Sequence, residues 1–190
     1  MANGRNNKLT GQIGEFLVCA ELGKRGLIAT PFAGNVPAFD VLAADELCRT
    51  VPIQVKASSP MKEWELNSWP ALATDWMDIE LDEATGRQHL HGPKVITNPD
   101  LIYVCVALAP VDTIKRDRFF VLRKCDIQDA IIEGYSLWMD ERNWTRPRNV
   151  KRMDSRYFLP SIEKFENNWN LITEQLQAVN PAASLESTDE

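Results

Sequence analysis

Glu15, Asp40, Gln54 and Lys56 are the residues of this chain whose types and spacing could do chemistry. Phe39-Asp40-Val41-Leu42 and Val51-Pro52-Ile53-Gln54-Val55-Lys56-Ala57 both read as strands. Alternate side chains of a strand share a face, so Gln54 and Lys56 point one way while Ile53 and Val55 point into a core. Placing an amide and an ammonium on a buried strand costs free energy unless each finds a partner. If the two strands form a hairpin, Asp40 comes to lie beside the pair. A carboxylate, an amide oxygen and an ammonium then converge, which suits holding a hard divalent cation and stabilising charge on a phosphate. The plainer alternative is a structural hairpin in which Asp40 and Lys56 form an ion pair and Gln54 bonds to backbone.

A helix and three strands must position these groups. Thr10 reads as an N-cap and Lys24-Arg25-Gly26 as a cationic last turn closed by glycine, which predicts a helix between them. Ile13, Phe16, Leu17 and Ala20 make one apolar stripe on it, and Val18, Cys19 and Leu22 make a second. Glu15 shares the side of the second stripe and needs a partner there, either a metal site or Lys56, unless it sits at the edge and reaches water. A strand is predicted over 27–32, a turn at Ala33-Gly34-Asn35, and a link between the second and third strands over 45–50. The continuously apolar run 100–108 predicts a central strand, and 119–122 the next. Helices are predicted over 126–139, interrupted at Gly134, and over 160–176. Ile79-Glu80-Leu81 and Gln88-His89-Leu90-His91, on either side of Gly86, predict a hairpin within an elaboration spanning 60–99.

These residues, in this order, resemble the PD-(D/E)XK nuclease superfamily, most of all its Holliday-junction-resolvase-like and Mrr-like restriction endonuclease branches. Glu15 in Gly11-Gln12-Ile13-Gly14-Glu15-Phe16 matches the acidic residue of the family's first helix, Asp40 the aspartate of its second strand, and Gln54-Val55-Lys56 its (D/E)-x-K motif. The likeness is close up to the third strand and holds in outline beyond it. Gln54 stands where most members carry Asp or Glu, although the Mrr-like branch often carries glutamine, and Phe39 rather than proline precedes Asp40. The resemblance implies an α/β fold with a restriction-endonuclease-like αβββαβ core, a mixed central sheet flanked by helices, and here an inserted hairpin. It implies an Mg²⁺- or Mn²⁺-dependent DNA endonuclease. The catalytic set would be Glu15, Asp40, Gln54 and Lys56, with Asp40, Gln54, the Val55 carbonyl and Glu15 as metal ligands and Lys56 positioning water or stabilising charge. The implied substrate is DNA, with a homodimer or a companion subunit as a further partner. The alternative from another class is a nuclease-fold protein without catalysis that binds nucleic acid or a protein.

A chain of 190 residues suits one domain, read here as 1–175 followed by a disordered acidic tail over 176–190. Hydrophobic residues at 44% and charged residues at 25% are ordinary for a globular protein. No apolar run approaches the length of a membrane span, and residues 1–8 lack the apolar core of a signal peptide. Cys19, Cys48, Cys105 and Cys125 form no CxxC pair, and a reducing cytoplasm is the expectation.

A net charge of −6 weighs against nucleic-acid binding, but the charge is uneven. Acid gathers between Glu63 and Glu83, while Arg142, Arg146, Arg148, Lys151, Arg152 and Arg156 are basic, as is Lys115-Arg116-Asp117-Arg118. Arg146, Arg148, Lys151 and Arg152 are the candidate DNA contacts, with Trp144 able to stack among them. The alternative is that these cations pair inside the protein with the acidic elaboration. His89 and His91 share a strand face and could meet zinc, but no third ligand stands at suggestive spacing. Trp64, Trp69 and Trp76 lie among acids, which favours packing over base stacking.

Overall fold

The structure, a computed structural model, describes residues 4–32, 38–59 and 66–178. The expected turn at 33–35, Trp64 with its neighbouring glutamates, and residues 179–190 lie outside the described residues. Helix α1 spans Gly4–Lys24, so it starts before Thr10, which lies in its interior rather than at its cap. Lengthening a formed helix costs far less than starting one, and no proline interrupts 5–10. Its other end is as expected. Gly26 takes a φ of 81°, its N–H meets the Gly23 carbonyl at 3.0 Å, and the Leu27 N–H meets the Leu22 carbonyl at 3.1 Å. Both bonds close carbonyls that the helix end would otherwise leave open.

The fold is mixed α/β, with a five-stranded mixed sheet flanked by helices. Strands β1 (Ile28–Pro31), β2 (Val41–Ala44) and β3 (Thr50–Ser58) form an antiparallel meander. Two later strands, numbered β7 (Ile102–Ala107) and β8 (Arg118–Arg123) in chain order, complete it, β7 pairing parallel to β3 and β8 antiparallel to β7. Alternation divides the side chains between two cores. Val51, Ile53, Val55, Ile102, Val104 and Val106 pack with Val18 and Leu22 of α1 and with Ile172 and Leu176 near the chain's end. Tyr103, Cys105, Phe120 and Leu122 face the other way and are covered by helix α3 (Lys124–Asp140) through Ile127, Ile131, Tyr135 and Met139.

A parallel pair needs a crossover. Here it is built from β4 (Ser68–Leu72), the single turn α2 (Ala73–Trp76), and the hairpin β5 (Met77–Leu81) and β6 (Gln88–Pro93). The helix of the αβββαβ scheme is therefore only one turn in this segment, and the long helix α3 arrives after β8 to cover that face. The hairpin falls where the alternation and Gly86, at φ 70°, place it. Strand β4 pairs with β9 (Asp154–Phe158), and neither strand was legible in the sequence. Pro70 interrupts the first, alternation in the second is weak, and the pairing joins segments far apart in sequence. Buried amides fasten these ribbons down. Gln128 donates to the Trp76 and Lys94 carbonyls at 2.6 and 2.8 Å, and Gln88 accepts from the Tyr135 hydroxyl at 2.6 Å.

Two helices differ from expectation. Helix α3 runs unbroken through Gly134, because the stripe Ile127, Ile131, Tyr135 and Met139 is buried on both sides of it. A glycine costs a helix only about 1 kcal/mol, less than such burial returns. The closing helix over 160–176 is instead α4 (Leu159–Ile162), a 3₁₀ turn (Glu163–Phe165) and α5 (Asn170–Ala178). Between them Glu166 bridges to Phe120 of β8 and binds Arg118, and Asn167 takes a φ of 54°. The chain thus leaves helical geometry to cap the sheet edge. Helix α5 takes in 176–178, with Leu176 buried, where the sequence suggested acidic tail.

Candidate functional site

Asp40 sits one residue before β2 and continues its ladder, since its N–H donates to the Ile53 carbonyl at 2.9 Å and its own carbonyl accepts from Phe32 at 2.9 Å. Its carboxylate is thereby turned onto β3. One oxygen, Oδ2, accepts from the Val55 N–H at 2.8 Å and from the Gln54 side-chain amide. Val55 thus faces Asp40 with its N–H. Gln54 gives its nitrogen to Asp40, which leaves its amide oxygen to accept elsewhere. Lys56 lies on the same face of β3 and is exposed. It forms no ion pair with Asp40 among the described residues, so the structural hairpin closed by that salt bridge is not what forms.

Glu15 approaches from α1, on the helix that covers the opposite face. The reason it can come so close is Gly14. A Cβ built there would stand 2.5 Å from the Ala57 Cβ and 3.4 Å from Val55 Cγ1. Any side chain at position 14 would lift the helix from β3 and carry Glu15 away. Its acidity is weakened, first by burial and then by the nearby charge of Asp40, with Lys56 partly opposing both. The three charged groups therefore feel one another electrostatically, and the two carboxylates repel.

The strand face beside this cluster is built by β7. Gln54 stands opposite Tyr103 and Lys56 opposite Cys105 in the parallel register. Burial pushes the Tyr103 hydroxyl and the Cys105 thiol each up to about 12, so both stay protonated near neutrality. Trp69, 2% exposed, donates its indole N–H to the Lys56 carbonyl at 2.8 Å and stacks on Tyr157 at 5.4 Å. It ties the β4–β9 ribbon to the lysine's own backbone. Trp69 and Gly14 are the positioning residues that sequence reasoning missed. Gly14 had a visible signal, a glycine inside an amphipathic helix beside its acid. Trp69 had none, because its partner is set by long-range pairing.

A metal is tested here by the donor set. Two carboxylates, one made less acidic by burial and by the other with Lys56 partly opposing, are groups whose repulsion a cation would relieve, and an amide oxygen adds a neutral donor. Mg²⁺ takes few protein oxygens and keeps several waters, so this small set fits it. No group of three or more His, Cys, Asp or Glu side chains placed for a metal occurs among the described residues. That includes His89 and His91. Both are exposed, and His91 lies 3.2 Å from Glu80.

The basic stretch is placed differently from the cluster. Arg146 donates to the Asp154 carbonyl at 2.8 Å and lies over the Trp138 ring, which Arg142 also covers. Lys151 pairs with Glu83 at 3.3 Å and Arg152 with Asp154 at 3.0 Å. Trp144 is half-buried and its indole binds Asp140 at 2.7 Å. Of the four candidate contacts, Arg148 is exposed with its charge unmatched among the described residues. No helix among the described residues is long and apolar enough to cross a membrane.

The fold and site together define a mixed α/β protein in which the Asp40 carboxylate is held on the third strand by the Gln54 amide and the Val55 N–H. No protein-family model matches the chain, and no curated protein matches it. Among solved structures it is similar to a bacterial homing endonuclease, I-Ssp6803I, with a TM-score of 0.49 and 14% identity, over 90% of this chain and 95% of that one.

Proposed function

We propose that this chain is a divalent-metal-dependent nuclease that hydrolyses phosphodiester bonds of DNA at Glu15, Asp40, Gln54 and Lys56. The observation that supports this reading is the Asp40 carboxylate held by the Gln54 amide, with Asp40 and Lys56 both acting electrostatically on Glu15. An inert scaffold gains nothing from holding two carboxylates together beside a lysine. Asp40 and Glu15 would hold Mg²⁺ or Mn²⁺, with the Gln54 amide oxygen as neutral donor. When bound, such an ion neutralises phosphate charge and supplies a water of lowered pKa. Gln54 and the Val55 N–H fix the Asp40 carboxylate in one orientation, which leaves Oδ1 for other work. Lys56 presents an ammonium that can donate to a phosphate oxygen as negative charge grows there.

Replacing Asp40 or Lys56 by alanine is expected to lower metal-dependent cleavage of plasmid DNA at least about 100-fold, the usual worth of one such group (about 3 kcal/mol). Circular dichroism should stay native. Loss of fold in both variants would mark the residues as structural. A second reading, a nuclease-fold binding protein without catalysis, is favoured by one fact: the Gln54 amide already occupies Asp40. Full cleavage loss in Asp40→Ala against an active wild type excludes it.

A further inference from the structure

We propose that the Tyr103 hydroxyl is a further catalytic group of this site, donating a hydrogen bond to a non-bridging oxygen of the scissile phosphodiester; this rests on the nuclease reading above. Tyr103 lies in β7, whose six residues are all buried, and it carries the only hydroxyl on that strand. In the parallel register it stands opposite Gln54, and alternation puts it on the face that Gln54 and Lys56 share. Asp40 stands on the other side of Gln54, across the antiparallel β2–β3 pair, and holds the Gln54 amide. Asp40, Gln54 and Tyr103 thus form one polar row across three neighbouring strands, about 4.8 Å from one to the next. Leu122 of β8 follows Tyr103 in register and ends the row.

The other polar tips on this face are committed. Cys105 Sγ and the Tyr157 hydroxyl meet at 3.5 Å, and the Trp69 N–H goes to the Lys56 carbonyl at 2.8 Å. The Tyr103 hydroxyl makes no hydrogen bond among the described residues. Nor is it sealed away. The buried polar side-chain atoms without a partner, among the described residues, are Arg146 Nε and Trp169 Nε1, so the Tyr103 hydroxyl reaches solvent although the residue is only 9% exposed. The ring packs in the core with Phe120, Leu122 and Ile131, and its tip stands at the surface. A phenylalanine would fill that core equally well, so the hydroxyl adds nothing to packing. The charge of Asp40 acts on this tip, and burial keeps its proton in place near neutrality. A protonated phenol donates, and a phosphodiester oxygen only accepts. With Lys56 on the same face, an ammonium supplies charge and the phenol supplies direction as negative charge grows on the phosphate.

The test compares wild type with Tyr103→Phe in cleavage of duplex DNA with Mg²⁺. The variant's kcat should fall about 100-fold, the low end for one donor at a developing oxyanion, with KM within about twofold. Its melting temperature should not fall, because no hydrogen bond of the free protein is removed, and calorimetry should give the wild-type affinity for Mn²⁺. Tyr157→Phe, which removes a hydroxyl bonded to Cys105, should do the opposite, melting lower while keeping kcat. Duplexes with phosphorothioate linkages, one diastereomer at a time, locate the contact. One diastereomer should slow wild type more than it slows Tyr103→Phe, since the two changes remove the same bond. Equal slowing of both proteins by both diastereomers overturns the contact, because the hydroxyl would then serve a water. A Tyr103→Phe protein that melts lower and cleaves normally overturns it as well, and makes the hydroxyl structural. An active wild type matched by Tyr103→Phe sinks this proposal and leaves the nuclease reading standing. A wild type that cleaves no DNA with Mg²⁺ or Mn²⁺ sinks both.

Discussion

The Asp40 cluster and the Arg142–Arg156 stretch are the two regions where polar chemistry is densest, and folding treats them in opposite ways. Around Arg146 each cation but one acquires a partner: a carbonyl, an indole face, or a carboxylate from a remote hairpin. Around Asp40 the fold instead gathers like charges. Glu15 is held near Asp40 by a helix contact only glycine permits, and its acidity is weakened first by burial and then by that neighbouring charge. Matched charge stabilises a surface and has little left to offer a ligand. Unmatched charge, held by a rigid sheet, is what a cation or a phosphate can use.

The largest effect expected is at the contact that creates the imbalance. Gly14→Leu forces a side chain into space already filled by Ala57 and should destabilise the fold by about 3 kcal/mol. Urea denaturation measures this. An unaffected midpoint would mean the helix can slide off β3 freely and that the imbalance is not enforced.

Gln54→Glu sharpens the comparison from inside the cluster. It replaces the amide that donates to Asp40 with a third carboxylate. Without metal, this should cost about 1–3 kcal/mol, the range for losing a hydrogen bond to a charged group. Mn²⁺ should restore the stability and bind more tightly than to wild type. Calorimetry reads both, and an unchanged Mn²⁺ affinity would place Gln54 outside the metal's ligands.

Arg146→Ala tests the matched region. It removes a hydrogen bond to a backbone carbonyl and a cation–ring contact, and should cost about 1–2 kcal/mol while leaving the salt dependence of DNA binding alone. Arg148→Ala, which breaks nothing, should fall within about 0.5 kcal/mol of wild type. A flattened salt slope in Arg146→Ala would return that stretch to the DNA-binding surface.

The smallest effect is the most diagnostic of unmatched charge. Glu15 is raised above its ordinary value in the folded state, so folding favours its protonated form. The stability it lends is full below the ordinary glutamate pKa and is lost as pH rises through the raised value. Glu15→Gln should therefore melt higher than wild type at neutral pH, and the gap should close on acidification. Melting curves across pH decide it. A wild type that melts higher at neutral pH without metal would show that Glu15 is already neutralised.

Much of this was legible before folding because it depends on short-range pattern. Alternation in 51–57 divides Ile53 and Val55 from Gln54 and Lys56, and the unbroken apolar run of β7 marks an interior strand. Lys24-Arg25-Gly26 ends α1 by a local rule of backbone geometry. What stayed hidden was decided by distance along the chain. Whether Asp40 pairs with Lys56 or with Gln54 depends on where β2 starts relative to β3, a matter of register. The β4–β9 ribbon, and with it the bond from Trp69 to the Lys56 carbonyl, joins segments far apart in sequence. The same holds for the basic stretch: the chain alone determined how many cations stand between 142 and 156, but only the tertiary structure decided which remain unspent, because a charge loses its reach once a partner is packed against it.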